Sequence, residues 1–84
     1  MRSVITMYGA DWCGDCRRTK AQLTDLGVEF EFLDTAAHDD YREKAIAISG
    51  SQSIPVVVFA DGDFLVEPSN DEVEAKLRSL GLLT

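Results

Sequence analysis

Eighty-four residues, 45% hydrophobic and 27% charged, have the composition of a small globular chain with room for one modest core. The formal net charge of −7 argues against nucleic acid and anionic membrane surfaces as partners, and no apolar run approaches a membrane span. Met1-Arg2-Ser3 leads straight into a strand-like run without a signal-like apolar region, so a single cytoplasmic domain over residues 1–84 is expected.

The first strand is expected over Ser3 to Tyr8. A helix then runs from about Cys13 to Leu26, with Cys16, Thr19, Leu23 and Leu26 on its inner face and Gly27 as its C-terminal stop. Val28, Phe30 and Phe32 alternate with Glu29 and Glu31, the period of a half-buried strand. Asp39 or a neighbour starts a second helix, which His38 caps or precedes. Its inner stripe is Tyr41, Ala45 and Ile48, and Gly50 ends it. Val56-Val57-Val58-Phe59 is an unbroken apolar run, as in a central strand. Asp61-Gly62 is a hairpin signal that sends Asp63 to Val66 back antiparallel. Ser69 and Glu72 have capping-box spacing for a last helix, with Val73, Leu77 and Leu80 facing inward and Gly81 closing it. The order β-α-β-α-β-β-α predicts an α/β fold: a right-handed parallel crossover extended by a hairpin into a four-stranded mixed sheet, with three helices distributed over both faces.

The chain's only two cysteines lie in Trp12-Cys13-Gly14-Asp15-Cys16, between the first strand and the first helix. Unpaired N–H groups and the helix dipole at such a junction favour a thiolate, the attacking species in disulfide exchange. Cys16 follows Cys13 by three residues, on the same helical face and within reach of a disulfide. So short a loop adds little chain-entropy stability, which makes a purely structural staple a poor explanation. The pair therefore points to thiol–disulfide oxidoreduction.

The element order, Trp12-Cys13-Gly14-Asp15-Cys16, Ser53-Ile54-Pro55 and Pro68-Ser69-Asn70-Asp71 together resemble the glutaredoxin branch of the thioredoxin-like fold over essentially the whole chain. The Trp-Cys-Gly-x-Cys motif, the Asp-Gly hairpin and the start of the last helix resemble the mycoredoxins in particular. This resemblance implies that Cys13 is the nucleophile and Cys16 the resolving thiol. It further implies a cis Pro55 facing the pair, an Ile54 backbone that pairs with the substrate chain, and a role for Ser69 and Asn70 in holding a small thiol. Trp12 is expected to meet the partner at the surface. No tightly bound cofactor is implied; the co-substrate is a low-molecular-weight thiol, mycothiol or glutathione, and the protein is expected to be a monomer. Thioredoxin itself fits less well, since the first strand carries no carboxylate to lie beneath the cysteines. The Trp-Ser-Gly-Phe-Arg-Pro-like segment of the redoxins that serve ribonucleotide reductase is replaced here by Phe64-Leu65-Val66-Glu67-Pro68-Ser69.

Asp15 is unusual between the cysteines, where relatives more often place Tyr or Pro. A carboxylate roughly 8 Å from a thiolate, at an effective dielectric near ~40, raises its energy by about 1 kcal/mol. That is comparable with the ~0.3–1 kcal/mol supplied by a helix dipole, and Arg17 and Arg18 offset part of it. A reductant rather than an oxidant is expected. Many glutaredoxins hold a glutathione carboxylate with a Lys three residues before the nucleophile; Ala10 stands there in this chain, followed by Asp11. Asp11, Asp15 and the overall charge disfavour anionic glutathione and leave mycothiol, with its uncharged sugar body, acceptable. Recharging by a flavoprotein reductase is an alternative. Another is a dimer that holds zinc or an iron–sulfur cluster, because the two cysteines and His38 are too few for a closed zinc site in one chain.

Overall fold

The computed structural model describes residues 5–83. Its elements are β1 (Thr6–Gly9), α1 (Gly14–Asp25), β2 (Glu31–Asp34), α2 (Asp39–Ser49), β3 (Val56–Val58), β4 (Phe64–Val66) and α3 (Asn70–Ser79). The sheet is four-stranded in the order β2-β1-β3-β4. β1 pairs with β2 in parallel, as a βαβ crossover requires, whereas β3 runs antiparallel to both β1 and β4.

Strand alternation divides the core. Met7 lies opposite Val57 and Tyr8 opposite Val56, so adjacent pairs point to opposite faces. Ile5, Met7, Val57 and Phe59 pack with Cys16 and Leu23 of α1 and with Val73 and Leu77 of α3. On the other face Tyr8 and Val56 meet Ala45 of α2, with Leu33, Tyr41, Val58 and Val66 around them. Full burial of each large aliphatic side chain is worth about 1.5–3 kcal/mol, so the α1–α3 layer carries most of the stability.

Several expected boundaries shift for identifiable reasons. Ser3 and Val4 of the expected first strand lie outside the described residues. Cys13 is the N-cap of α1 rather than part of the helix. Val28 is not a strand residue: its N–H donates to Leu23 O at 3.1 Å, closing the end of α1 behind Gly27, whose φ is +70°. β2 therefore starts only at Glu31. Leu26 and Ile48, expected on inner faces, are 36% and 37% exposed. Strands of three or four residues span roughly 10–13 Å, whereas helices of eleven or twelve span about 16–18 Å, so the helix ends overhang the sheet.

The β3–β4 connection runs from Phe59 to Asp63. Phe59 N–H donates to Asp63 O and Gly62 N–H to Phe59 O, with Gly62 at φ +89°. Lys76 of α3 pairs with Asp61 and Asp63, both at 2.8 Å, and so ties this hairpin to the helix.

Candidate active site

Cys13 occupies the N-cap of α1 in an extended conformation, and its Sγ accepts a hydrogen bond from the Cys16 N–H at 3.4 Å. Its own N–H donates to Ala10 O at 3.2 Å, closing the turn that leads out of β1. The side chain is half-buried, which leaves its sulfur open to a partner. Cys16, one turn further along, is 1% exposed. It fits because Gly9 has no side chain: a Cβ there would stand 2.8 Å from Cys16 Sγ. Gly9 is held in turn by Thr35, whose N–H and Oγ1 both donate to the Gly9 carbonyl. Both cysteines are free thiols.

Burial pushes the Cys16 thiol up to about 12, a hydrogen bond with the Ala10 backbone opposes this, and Cys13 and Asp15 add to the rise. The sign of its effect on stability follows. An unfolded chain ionises Cys16 near its ordinary 9.0, whereas the folded chain keeps the proton, so the contribution is complete below pH 9 and lost as pH rises towards 12. Urea denaturation of the reduced protein should therefore show wild type losing more stability between pH 8 and about pH 11 than Cys16→Ser does. Parallel losses in the two proteins would contradict this.

Pro55 enters β3 through a cis peptide bond with Ile54. It is fully buried, and continuing the β1–β3 register by one residue sets it opposite Gly9, the residue against Cys16. Ile54 and Cys13 both pack against the cluster that contains Cys16. Four residues singled out by sequence, Cys13, Cys16, Ile54 and Pro55, thus gather at the end of β1.

The charged border is more ordered than sequence suggests. Arg18 donates to Asp15 Oδ1 at 3.0 Å and to the Pro68 carbonyl at 3.1 Å, linking the residue between the cysteines to the start of α3. Arg17 donates to the Asp11 carbonyl, and Lys20 pairs with the Asp11 carboxylate at 3.3 Å while lying over the Phe32 ring. Ser69 caps α3 in a complete capping box: its Oγ accepts from Glu72 N–H, and its N–H donates to Glu72 Oε1. The Asn70 carbonyl accepts from Gln22 of α1 at 2.8 Å, a second link between the helices. Trp12 is 72% exposed and does not shield the helix start. His38 sits at the N-cap of α2, makes no side-chain capping bond and packs on Tyr41. Among the described residues no three His, Cys, Asp or Glu side chains converge as a metal site would need.

A family model described as Glutaredoxin matches residues 5–65, which include β1, both cysteines, Pro55 and β3. The chain belongs to the glutaredoxin family. A Mycobacterium tuberculosis protein provisionally named a glutaredoxin is 37% identical over 76 residues, covering 89% of this chain and 90% of its own. Mycoredoxin 1 of Corynebacterium glutamicum is 30% identical over 79 residues, covering 93% of this chain and 98% of its own. The crystal structure of a glutaredoxin from Archaeoglobus fulgidus superposes with a TM-score of 0.80 at 31% identity, over 90% of this chain and 87% of that one. Glutaredoxins are thiol–disulfide oxidoreductases, and the fold expected from sequence, a four-stranded mixed sheet with three helices, is the one found.

Three features of this glutaredoxin's site escaped the sequence reading. Gly9 stands at the end of a strand with nothing local to mark its contact with Cys16. The Arg18–Pro68 bond joins residues fifty apart. Glu67 adopts a left-handed backbone, φ +48°, although it is neither the Gly nor the Asn that favours this conformation.

Proposed function

We propose that this single-domain glutaredoxin, acting as a cytoplasmic monomer, reduces mixed and protein disulfides through Cys13. The Cys13 thiolate attacks one sulfur of the substrate disulfide; the S–S bond breaks, and the other sulfur leaves as a thiolate that takes up a proton. Cys16 then gives up its proton and attacks Cys13 Sγ, releasing the second substrate sulfur and leaving a Cys13–Cys16 disulfide. Two equivalents of a low-molecular-weight thiol return the pair to dithiol and leave as the oxidised dimer. In this reading Trp12, Asp15, the Ile54 backbone and Pro55 meet the substrate, and Ser69 and Asn70 help to hold the small thiol.

The observation that carries this reading is the division of labour between two adjacent thiols: an accessible one at a helix N-cap and a buried one that burial holds protonated. Mycothiol is the thiol we favour over glutathione. Ala10 is fully buried and supplies no cation, Arg18 and Lys20 already hold Asp15 and Asp11, and Glu72 occupies the Ser69 N–H that a ligand carboxylate would seek. The 30% identity to a protein named mycoredoxin supports the same choice.

The test is intact-mass analysis of reduced Cys16→Ser protein offered equal oxidised mycothiol and oxidised glutathione. A dominant adduct of mycothiol mass on Cys13 is expected. A dominant glutathione adduct overturns the thiol preference, and no adduct from either overturns recharging by a small thiol.

A further inference from the structure

Glu67 is the single non-glycine residue with positive φ among those described, at +48°. An L-residue other than glycine pays a steric penalty there, because its Cβ approaches the neighbouring carbonyl oxygen. Such outliers persist where surrounding contacts impose them, and they concentrate at functional positions. The contacts that impose this one are on both sides. The Glu67 N–H donates to the Pro55 carbonyl at 2.9 Å, and the next residue, Pro68, is buried and gives its carbonyl to Arg18. Arg18 in turn holds Asp15, between the two cysteines.

These bonds place the Glu67 backbone one strand from Pro55, which lies one strand from Gly9. With strands about 4.8 Å apart, that is roughly 10 Å from the end of β1 where the cysteine turn begins. The side chain is exposed. Among the described residues its charge has no ion-pair partner, which it shares with Asp71 of α3 but not with Asp11 and Asp15 of the cysteine turn. Asp15 is paired with Arg18 and Asp11 with Lys20, Asp34 accepts from the Ala36 and Ala37 N–H groups, and Glu72 is spent in the capping box. Among the described residues Glu67 has no ion-pair partner and no side-chain hydrogen bond.

We propose that Glu67 is a specificity-determining residue of the disulfide site. It selects disulfides carrying a positive charge beside the scissile S–S bond, such as a client segment with Lys or Arg next to its cysteine, over anionic ones. This rests on the reduction of disulfides at Cys13 proposed above. No new bond is made by Glu67; it acts on approach and binding through its field, which salt screens.

Three small symmetrical disulfides of the same chemistry and different charge test it: cystamine (cationic), bis(2-hydroxyethyl) disulfide (neutral) and dithiodipropionate (anionic). Each is reacted with reduced wild-type and Glu67→Gln protein at low ionic strength, and the second-order rate of disulfide consumption is measured. The cystamine-to-dithiodipropionate rate ratio should fall about fivefold in Glu67→Gln, with the neutral rate unchanged, and the difference should vanish at high salt. Glu67→Gly, which relieves the backbone strain, should lose the same selectivity without a fall in Tm. An unchanged ratio alongside normal reduction of the neutral disulfide overturns the role of Glu67 alone. A failure of wild type to reduce the neutral disulfide faster than a free thiol overturns the underlying redox reading and this inference together.

Discussion

Cys13→Ser protein is expected to lose disulfide reduction by at least about a thousandfold, down to the rate of the small thiol alone, while Cys16→Ser keeps part of it. The asymmetry follows from position. Cys13 is the half-buried sulfur at the N-cap, and a serine there offers no thiolate to attack. Cys16 is fully buried behind Gly9 and meets an incoming disulfide only after Cys13 has reacted. Its loss therefore leaves the first step intact and removes the intramolecular second step, so release depends on a second molecule of thiol. Steady-state turnover of a small mixed disulfide, run beside turnover of a protein disulfide, reads both effects. Cys16→Ser should retain the first substrate within about tenfold and fail on the second. Equal losses in the two serine variants would contradict the assignment of roles.

Leu77→Ala should cost about 3 kcal/mol of stability. Leu77 is fully buried in the cluster that joins α3 to β1, β3 and α1, with Ile5, Met7, Leu23, Val57, Phe59 and Val73 around it. In a protein of this size a loss of that order lowers Tm by roughly 15 °C and moves the urea midpoint visibly. The effect should reach the cysteine turn, because the start of α3 is tied to α1 by Gln22 at Asn70 and by Arg18, the partner of Asp15, at Pro68. Urea denaturation beside an exposed control such as Arg78→Ala separates core loss from surface loss. A cost below about 1 kcal/mol would mean that the α1–α3 layer is not the main core.

Sequence alone determined those parts of this protein that one segment can specify. Alternation made Met7 and Tyr8 face opposite ways, the Ser69–Glu72 spacing set the start of α3, and the three-residue step from Cys13 to Cys16 placed two thiols on one helical turn. A familiar combination of short motifs then supplied the cis bond at Pro55, which the structure contains. Tertiary structure alone decided what depends on segments distant in the chain. The space at Gly9 exists only because α1 lays Cys16 across the end of β1. The second acceptor of Arg18 is chosen by the loop that brings in the Pro68 carbonyl, and the backbone of Glu67 is imposed from Pro55 on one side and Pro68 on the other. The overhang of Leu26 and Ile48 depends on helix length measured against strand length, a comparison made only when layers stack. Local periodicity is written in neighbouring residues, whereas burial, ion pairing and imposed backbone geometry depend on which surfaces the packed layers bring into contact.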